Sequence, residues 1–124
     1  MNEKFIADMA EAIARMEGVY IRRSVAQRNN NPGNLRRWGT RPVRDGFAVF
    51  DTPEDGFAAL RRQIELNINR GLTMKEFFAG KPGVYPGYAP ASDNNRPEQY
   101  ARFVATQVGL SERDPSDIPL KEFV

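Results

Sequence analysis

Arg28-Asn-Asn-Asn-Pro-Gly-Asn-Leu35 is the stretch on which the fold turns. Four Asn, one Pro and one Gly in eight residues exclude the interior of a helix or a strand. Pro has no amide proton to give, Gly takes positive φ at no steric cost, and Asn side chains bond to nearby backbone. The segment must therefore be a run of turns held by side-chain to backbone hydrogen bonds.

Upstream of it, Phe5, Ile6, Met9, Ile13 and Met16 recur at three- and four-residue steps, one face of a helix. This predicts a helix from about Asn2 to Met16, with Asn2 as N-cap and Gly18 as the stop. Glu17 follows Ile13 by four residues and so projects near the apolar face, at the negative end of the helix dipole. Both circumstances raise a carboxyl pKa, so Glu17 is expected to hold its proton better than an ordinary glutamate. The bland alternative is a solvated helix-end glutamate.

Downstream, Val43-Arg-Asp-Gly-Phe-Ala-Val-Phe50 reads as a hairpin, with Asp45-Gly46 supplying the two positive-φ positions of a tight turn. Asn34 to Trp38 is an alternative partner strand. Thr52-Pro-Glu-Asp55 then opens a helix with Phe57, Leu60, Ile64 and Ile68 inward and Gly71 at its end. Thr73-Met-Lys-Glu76 is a second capping box, opening a short helix that carries Phe77 and Phe78. Residues 80–90 are rich in Gly, Pro and Tyr and form a structured loop. A last helix runs from Arg96 or Pro97 to Val108, with Tyr100, Phe103, Val104 and Val108 inward and Gly109 as its stop. The expected fold is α+β and mostly α-helical: one domain over 1–124, with a core from about 3 to 109 and a tail, 110–124, on the surface.

The 124 residues contain no His and no Cys. Disulfides, His or Cys catalysis and His/Cys zinc sites are excluded, which leaves carboxylates, hydroxyls, Lys and Arg for any chemistry. No metal or organic cofactor is implied. No apolar run approaches the ~20 residues of a membrane span, and the charged N-terminus has no signal-peptide pattern. The chain is thus expected to be made in the cytoplasm, and as a monomer. The net charge of +2 conceals seven arginines (Arg22, Arg23, Arg28, Arg36, Arg37, Arg41, Arg44) and no acid between Gly18 and Arg44. That stretch would attract an anionic partner, or it is only a solvated loop. Nucleic acid is disfavoured, because it leaves Glu17 and the 80–95 loop without a purpose.

Cleaving a glycosidic bond needs a protonated carboxyl at the leaving oxygen, and Glu17 has the setting for one. Asn31 and Asn34 either contact substrate or hold their loop. Asp93-Asn94-Asn95 either contacts substrate or caps the last helix. Tyr85, Tyr88 and Tyr100 either stack on sugars or fill the core.

Glu17-Gly18 followed by Arg28-Asn-Asn-Asn-Pro-Gly-Asn-Leu-Arg36 resembles a lysozyme-superfamily cell-wall domain of bacteriophage and bacterial genomes. Such domains are called virion-associated lysozymes or lytic transglycosylase-like proteins. The resemblance continues through Phe47-Ala-Val-Phe50, Thr52-Pro-Glu-Asp-Gly56, Ala59-Leu60, Tyr88-Ala-Pro90, Asp93-Asn94 and Tyr100, and covers about residues 3 to 109. It implies a lysozyme-like fold whose small β-hairpin flanks a substrate cleft, with peptidoglycan as substrate. It implies that Glu17 is the general acid at the β-1,4 bond between N-acetylmuramic acid and N-acetylglucosamine. Asn31, Asn34, Tyr88, Asp93, Asn94 and Tyr100 are then the substrate-side residues, with Tyr100 or Tyr88 orienting the acid. In a lytic transglycosylase the same carboxyl next takes the proton of the muramic 6-hydroxyl, closing a 1,6-anhydro ring. The Glu-Ser and Gly-Leu-Met-Gln motifs of secreted transglycosylases are absent, so the phage-type members are closer, and a hydrolytic muramidase remains the alternative outcome. Asp45 and Asp51 are the candidate second carboxylates for hydrolysis, although the turn and the helix cap explain both. A non-catalytic glycan- or virion-binding module is the other alternative. Action on the wall would follow release, virion delivery or a secretion machine.

Overall fold

In the computed structural model, which describes residues 2–124, helix α1 spans Glu3–Glu17. Asn2 starts it as expected: its Oδ1 accepts the Phe5 N–H at 3.2 Å. Lys4–Asp8 and Glu11–Arg15 pair one turn apart at 2.6 and 3.4 Å. Gly18, at φ +81°, ends the helix in a left-handed conformation. Phe5, Ile6, Met9 and Ile13 are buried, but Met16 is 41% exposed. The buried face is completed instead by Ala10, Ala12 and Ala14, small residues that a search for large apolar side chains passes over.

About half of the residues are helical, and the chain is mixed α and β with one two-stranded antiparallel sheet. After α1 come α2 (Val25–Arg28), strands β1 (Val43–Arg44) and β2 (Phe47–Ala48), and helices α3 (Pro53–Ile68), α4 (Met74–Ala79) and α5 (Pro97–Gln107). Among the described residues, the short 3-10 turns Ala91–Asp93, Pro115–Asp117 and Leu120–Phe123 complete the order. The chain divides into two compact units, Ala10–Ile64 and Met1–Met9 with Glu65–Val124.

Within residues 10–64, Val43 pairs with Ala48 and Arg44 with Phe47. The turn between the strands has Asp45 at φ +57° and Gly46 at φ +83°, the two positive angles of a tight hairpin turn. The alternative partner, Asn34 to Trp38, forms no strand; the sheet partner of β2 is β1, and only the Ala48 N–H reaches that segment, donating to the Leu35 carbonyl at 2.8 Å. Thr52 opens α3 by accepting the Asp55 N–H at 3.1 Å.

Within residues 65–124, Thr73 and Glu76 exchange bonds of 3.1 and 2.9 Å in a complete capping box. Helices α4 and α5 pack together. On α5, Tyr100 and Val104 are buried, while Phe103 and Val108 are only half-buried; Ala101 and Ala105 take their place on the inner face.

The tail is not a surface strap. Ile118 and Leu120 are fully buried and Pro115 is buried. The Met74 N–H donates to the Ile118 carbonyl at 2.8 Å, and the Leu120 N–H to the Leu72 carbonyl at 3.1 Å. Phe123 stacks on Phe5 at 5.4 Å. Burying a side chain of this size is worth about 1.5–3 kcal/mol, so residues 110–124 belong to the core.

Candidate functional site

The Asn-rich loop is built from α2 onward. Ser24 caps that single turn by accepting the Gln27 N–H at 3.1 Å, and its own hydroxyl donates to the Gly18 carbonyl at 2.7 Å. Three asparagines then tie the loop to the hairpin region. Asn29 donates to the Arg44 carbonyl at 3.1 Å and accepts from Arg44 Nε at 2.9 Å. Asn30, at φ +51°, donates to the Phe50 carbonyl at 3.1 Å. Asn31 donates to the carbonyls of Leu35 and Ala48, both at 2.9 Å, and accepts the Leu35 N–H at 2.9 Å.

These bonds correct the expectation for Asn31. It is 0% exposed, and its side-chain oxygen and nitrogen are all engaged with backbone, so it holds the loop and has no face for a substrate. Gly56, in the first turn of α3, is part of the same construction. A Cβ there would lie 1.9 Å from the Asn30 carbonyl oxygen and 2.7 Å from Pro32 Cδ. Sequence reasoning missed this requirement, although a glycine inside a helix is itself a signal of close approach.

Asn34 differs from its neighbours. It sits at φ +47°, and its N–H donates to the Asn31 carbonyl at 3.1 Å. Its side-chain amide donates to Glu17, at 3.1 Å to Oε1 and 3.4 Å to the main-chain oxygen. The Asn34 Oδ1 is buried and accepts nothing. A buried acceptor without a donor costs about 1–3 kcal/mol. The loop therefore presents one amide to the half-buried Glu17 carboxyl at the end of α1, 17 residues away in sequence. Of the residues expected at the site, these two are brought into direct contact.

The basic stretch is partly neutralised. Arg41 clamps Asp51 at 2.8 and 3.3 Å and donates to the Val49 carbonyl at 2.9 Å. The guanidinium bond holds the Asp51 carboxyl below its ordinary value and pushes Arg41 up. Arg28 pairs with Asp45 at 3.4 Å, Arg44 is spent on Asn29 and the Arg28 carbonyl, and Arg36 lies 5.1 Å over the Phe47 ring. The side chains of Arg22, Arg23 and Arg37 make no such contact among the described residues.

Tyr88, Asp93, Asn94 and Tyr100 belong to the 65–124 unit. Tyr100 is buried and stacks on Phe78 at 4.5 Å; Tyr88 stacks on Phe77 at 5.7 Å. Both rings thus fill the aromatic core of that unit. Asp93 and Asn94 are exposed, but they do not cap α5. The N-cap is Arg96, without a side-chain bond, and Asn94 instead closes the 3-10 turn Ala91–Asp93 at φ +62°.

No cluster of three or more acids that could hold a metal ion occurs among the described residues. A depression of about 150 Å³ is lined by Lys75, Glu98, Arg102, Asp114, Pro115 and Ser116 in the 65–124 unit. It falls below the ~300 Å³ at which small-molecule sites begin. Its acids and bases offset, and it includes none of the residues singled out above. No helix among the described residues is long and apolar enough to cross a membrane. Comparison with family models, curated proteins and solved structures finds no match.

Proposed function

We propose that the chain is a peptidoglycan-cleaving glycosidase with a lysozyme-like fold, acting on the β-1,4 bond after N-acetylmuramic acid as a lytic transglycosylase. The observation that carries the reading is the pair Glu17–Asn34. In a chain without His or Cys, one carboxyl at a helix end is held at 3.1 Å by an amide from a loop that is otherwise locked to backbone. Glu17 gives its proton to the glycosidic oxygen as the C1–O bond breaks. Its carboxylate then takes the proton of the muramic 6-hydroxyl as that oxygen bonds C1. The acid is regenerated and no water is consumed.

The single-carboxylate outcome is favoured over hydrolysis by the state of the two other candidates. Hydrolysis needs a second carboxylate to stabilise the oxocarbenium ion or to activate water. Asp45 is in a left-handed turn and paired with Arg28, and Asp51 is clamped by Arg41.

Mass spectrometry of muropeptides released from purified peptidoglycan tests the reading. Anhydro-muramyl ends are expected from the wild-type chain and none from Glu17→Gln. Reducing ends would make it a muramidase, and release that survives Glu17→Gln would remove Glu17 from the chemistry.

A further inference from the structure

Tyr20 is 60% exposed and Ile21 66% exposed, an aromatic and an aliphatic side chain turned to solvent just after Glu17. The exposure is not looseness. The Tyr20 hydroxyl donates to Glu11 Oε2 at 2.8 Å, and the other Glu11 oxygen is braced by Arg15 at 3.4 Å. Partial burial of the phenol, and next the Glu11 bond, push that hydroxyl above the ordinary tyrosine value. The backbone beneath the ring is tied as well. The Ile21 N–H donates to the Gly18 carbonyl at 2.9 Å and the Ser24 N–H to the Ile21 carbonyl at 3.1 Å. Gln27 accepts the Arg23 N–H at 2.9 Å, with Arg23 at φ +66°. Residues 18–24 thus form two successive turns, locked at both ends, that raise one aromatic ring and two uncommitted guanidinium groups, Arg22 and Arg23.

A fold gains nothing from holding an exposed ring still, since ordering a side chain costs entropy and its apolar face stays wet. A binding site does gain. An aromatic ring offers large contact area with few torsions to freeze, and prior fixation lowers the entropic cost of association. The flat apolar face suits the C–H face of a pyranose, and the two arginines suit carboxylates carried beside it.

We infer that residues 20–23 form a glycan-binding lip: Tyr20 stacks on a sugar ring of the strand while Arg22 and Arg23 meet the carboxylates of its peptide substituents. The inference rests on the glycan-cleaving reading of Glu17 and extends it to residues outside the acid's own contact.

The test measures affinity for a purified soluble peptidoglycan fragment by titration calorimetry, with Glu17→Gln in every protein to prevent turnover. Tyr20→Ala is expected to weaken binding on the order of ten-fold, the scale of losing one aromatic anchor, with the thermal midpoint unchanged because the ring is mostly exposed. Tyr20→Phe and Glu11→Ala, which keep the ring and release its brace, should each lose a smaller part. Arg22→Ser with Arg23→Ser should flatten the salt dependence of binding. Unchanged affinity in Tyr20→Ala overturns the lip while leaving the Glu17 chemistry standing, which muropeptide release by the wild-type chain reports separately. Absence of binding by the parent variant, or preference for a DNA oligonucleotide over the fragment with a steep salt dependence, overturns the lip as well.

Discussion

Gly56→Ala sets two well-measured effects against each other. Alanine is the better helix residue, and the exchange in an unobstructed helix stabilises by about 0.5–1 kcal/mol. At Gly56 the added methyl would stand 1.9 Å from the Asn30 carbonyl oxygen and 2.7 Å from Pro32 Cδ. Neither obstacle is the free end of a flexible side chain. Asn30 is anchored to Phe50, and the Asn31 N–H is bonded to the Ala26 carbonyl at 2.9 Å, so the carbonyl cannot swing aside alone. Forcing a methyl into such a contact costs about 3 kcal/mol, the upper end of the overpacking range. The net loss is about 2 kcal/mol. With 124 residues and ~2.1 cal/mol/K of unfolding entropy per residue, the midpoint falls by roughly 8 °C. A thermal melt followed by far-ultraviolet circular dichroism reads this directly. A midpoint equal to or above that of the wild type would refute the reasoning: helix propensity would have won, and the Asn-rich loop would be free to give way.

Ile118→Ala should cost about 2–5 kcal/mol and lower the midpoint by roughly 8–19 °C, as deletion of a fully buried side chain does; an unchanged melt would return residues 110–124 to the surface. Asn34→Gly should leave the urea midpoint equal or higher, because it removes both a left-handed non-glycine residue and an orphaned acceptor, while peptidoglycan release falls; a large loss of stability would show that the Asn34 to Glu17 bond holds the fold. Asp51→Asn probes pH. The folded carboxyl titrates below its ordinary value, so its pairing with Arg41 stabilises above the unfolded pKa and is lost as pH falls through the folded one. Wild type should therefore exceed the variant in urea midpoint at neutral pH and converge with it in acid; a gap that persists in acid would assign the effect to something other than charge.

Much of the local architecture was legible because it follows from single-residue stereochemistry. Asp45-Gly46 can open a hairpin since both tolerate positive φ, and Thr73 and Glu76 close a capping box since their spacing permits both bonds. The same logic failed wherever the deciding partner was remote. Residues 110–124 contain prolines and no apolar period, so nothing local announces that Ile118 and Leu120 are buried; the bonds to Met74 and Leu72 that draw them in cross more than forty positions. Met16 keeps the helical step of its neighbours but not their burial, since periodicity fixes an angle and cannot say where the core ends. Nothing local says that Gly56 must stay bare, because the Asn30 carbonyl and the Pro32 ring that its missing Cβ admits lie more than twenty positions upstream.

The asparagines mark the limit most clearly for the site. Asn29, Asn30, Asn31 and Asn34 are one residue type in one loop, and read from the sequence Asn31 stands beside Asn34 on the substrate side. What separates them is where their hydrogen bonds go: the first three have their amides on carbonyls 4 to 21 residues away, whereas the fourth shares its amide between the Glu17 carbonyl and the Glu17 carboxylate and has its own side-chain oxygen on nothing. A loop built only to turn the chain would have no reason to bury an unpaired acceptor beside an acid, since glycine at Asn34 would avoid both that cost and the left-handed one. Costs retained at one residue while its neighbours are fully satisfied are the pattern of local rules given up at a working site. That contrast, more than the motif itself, is the reason to look for chemistry at Glu17.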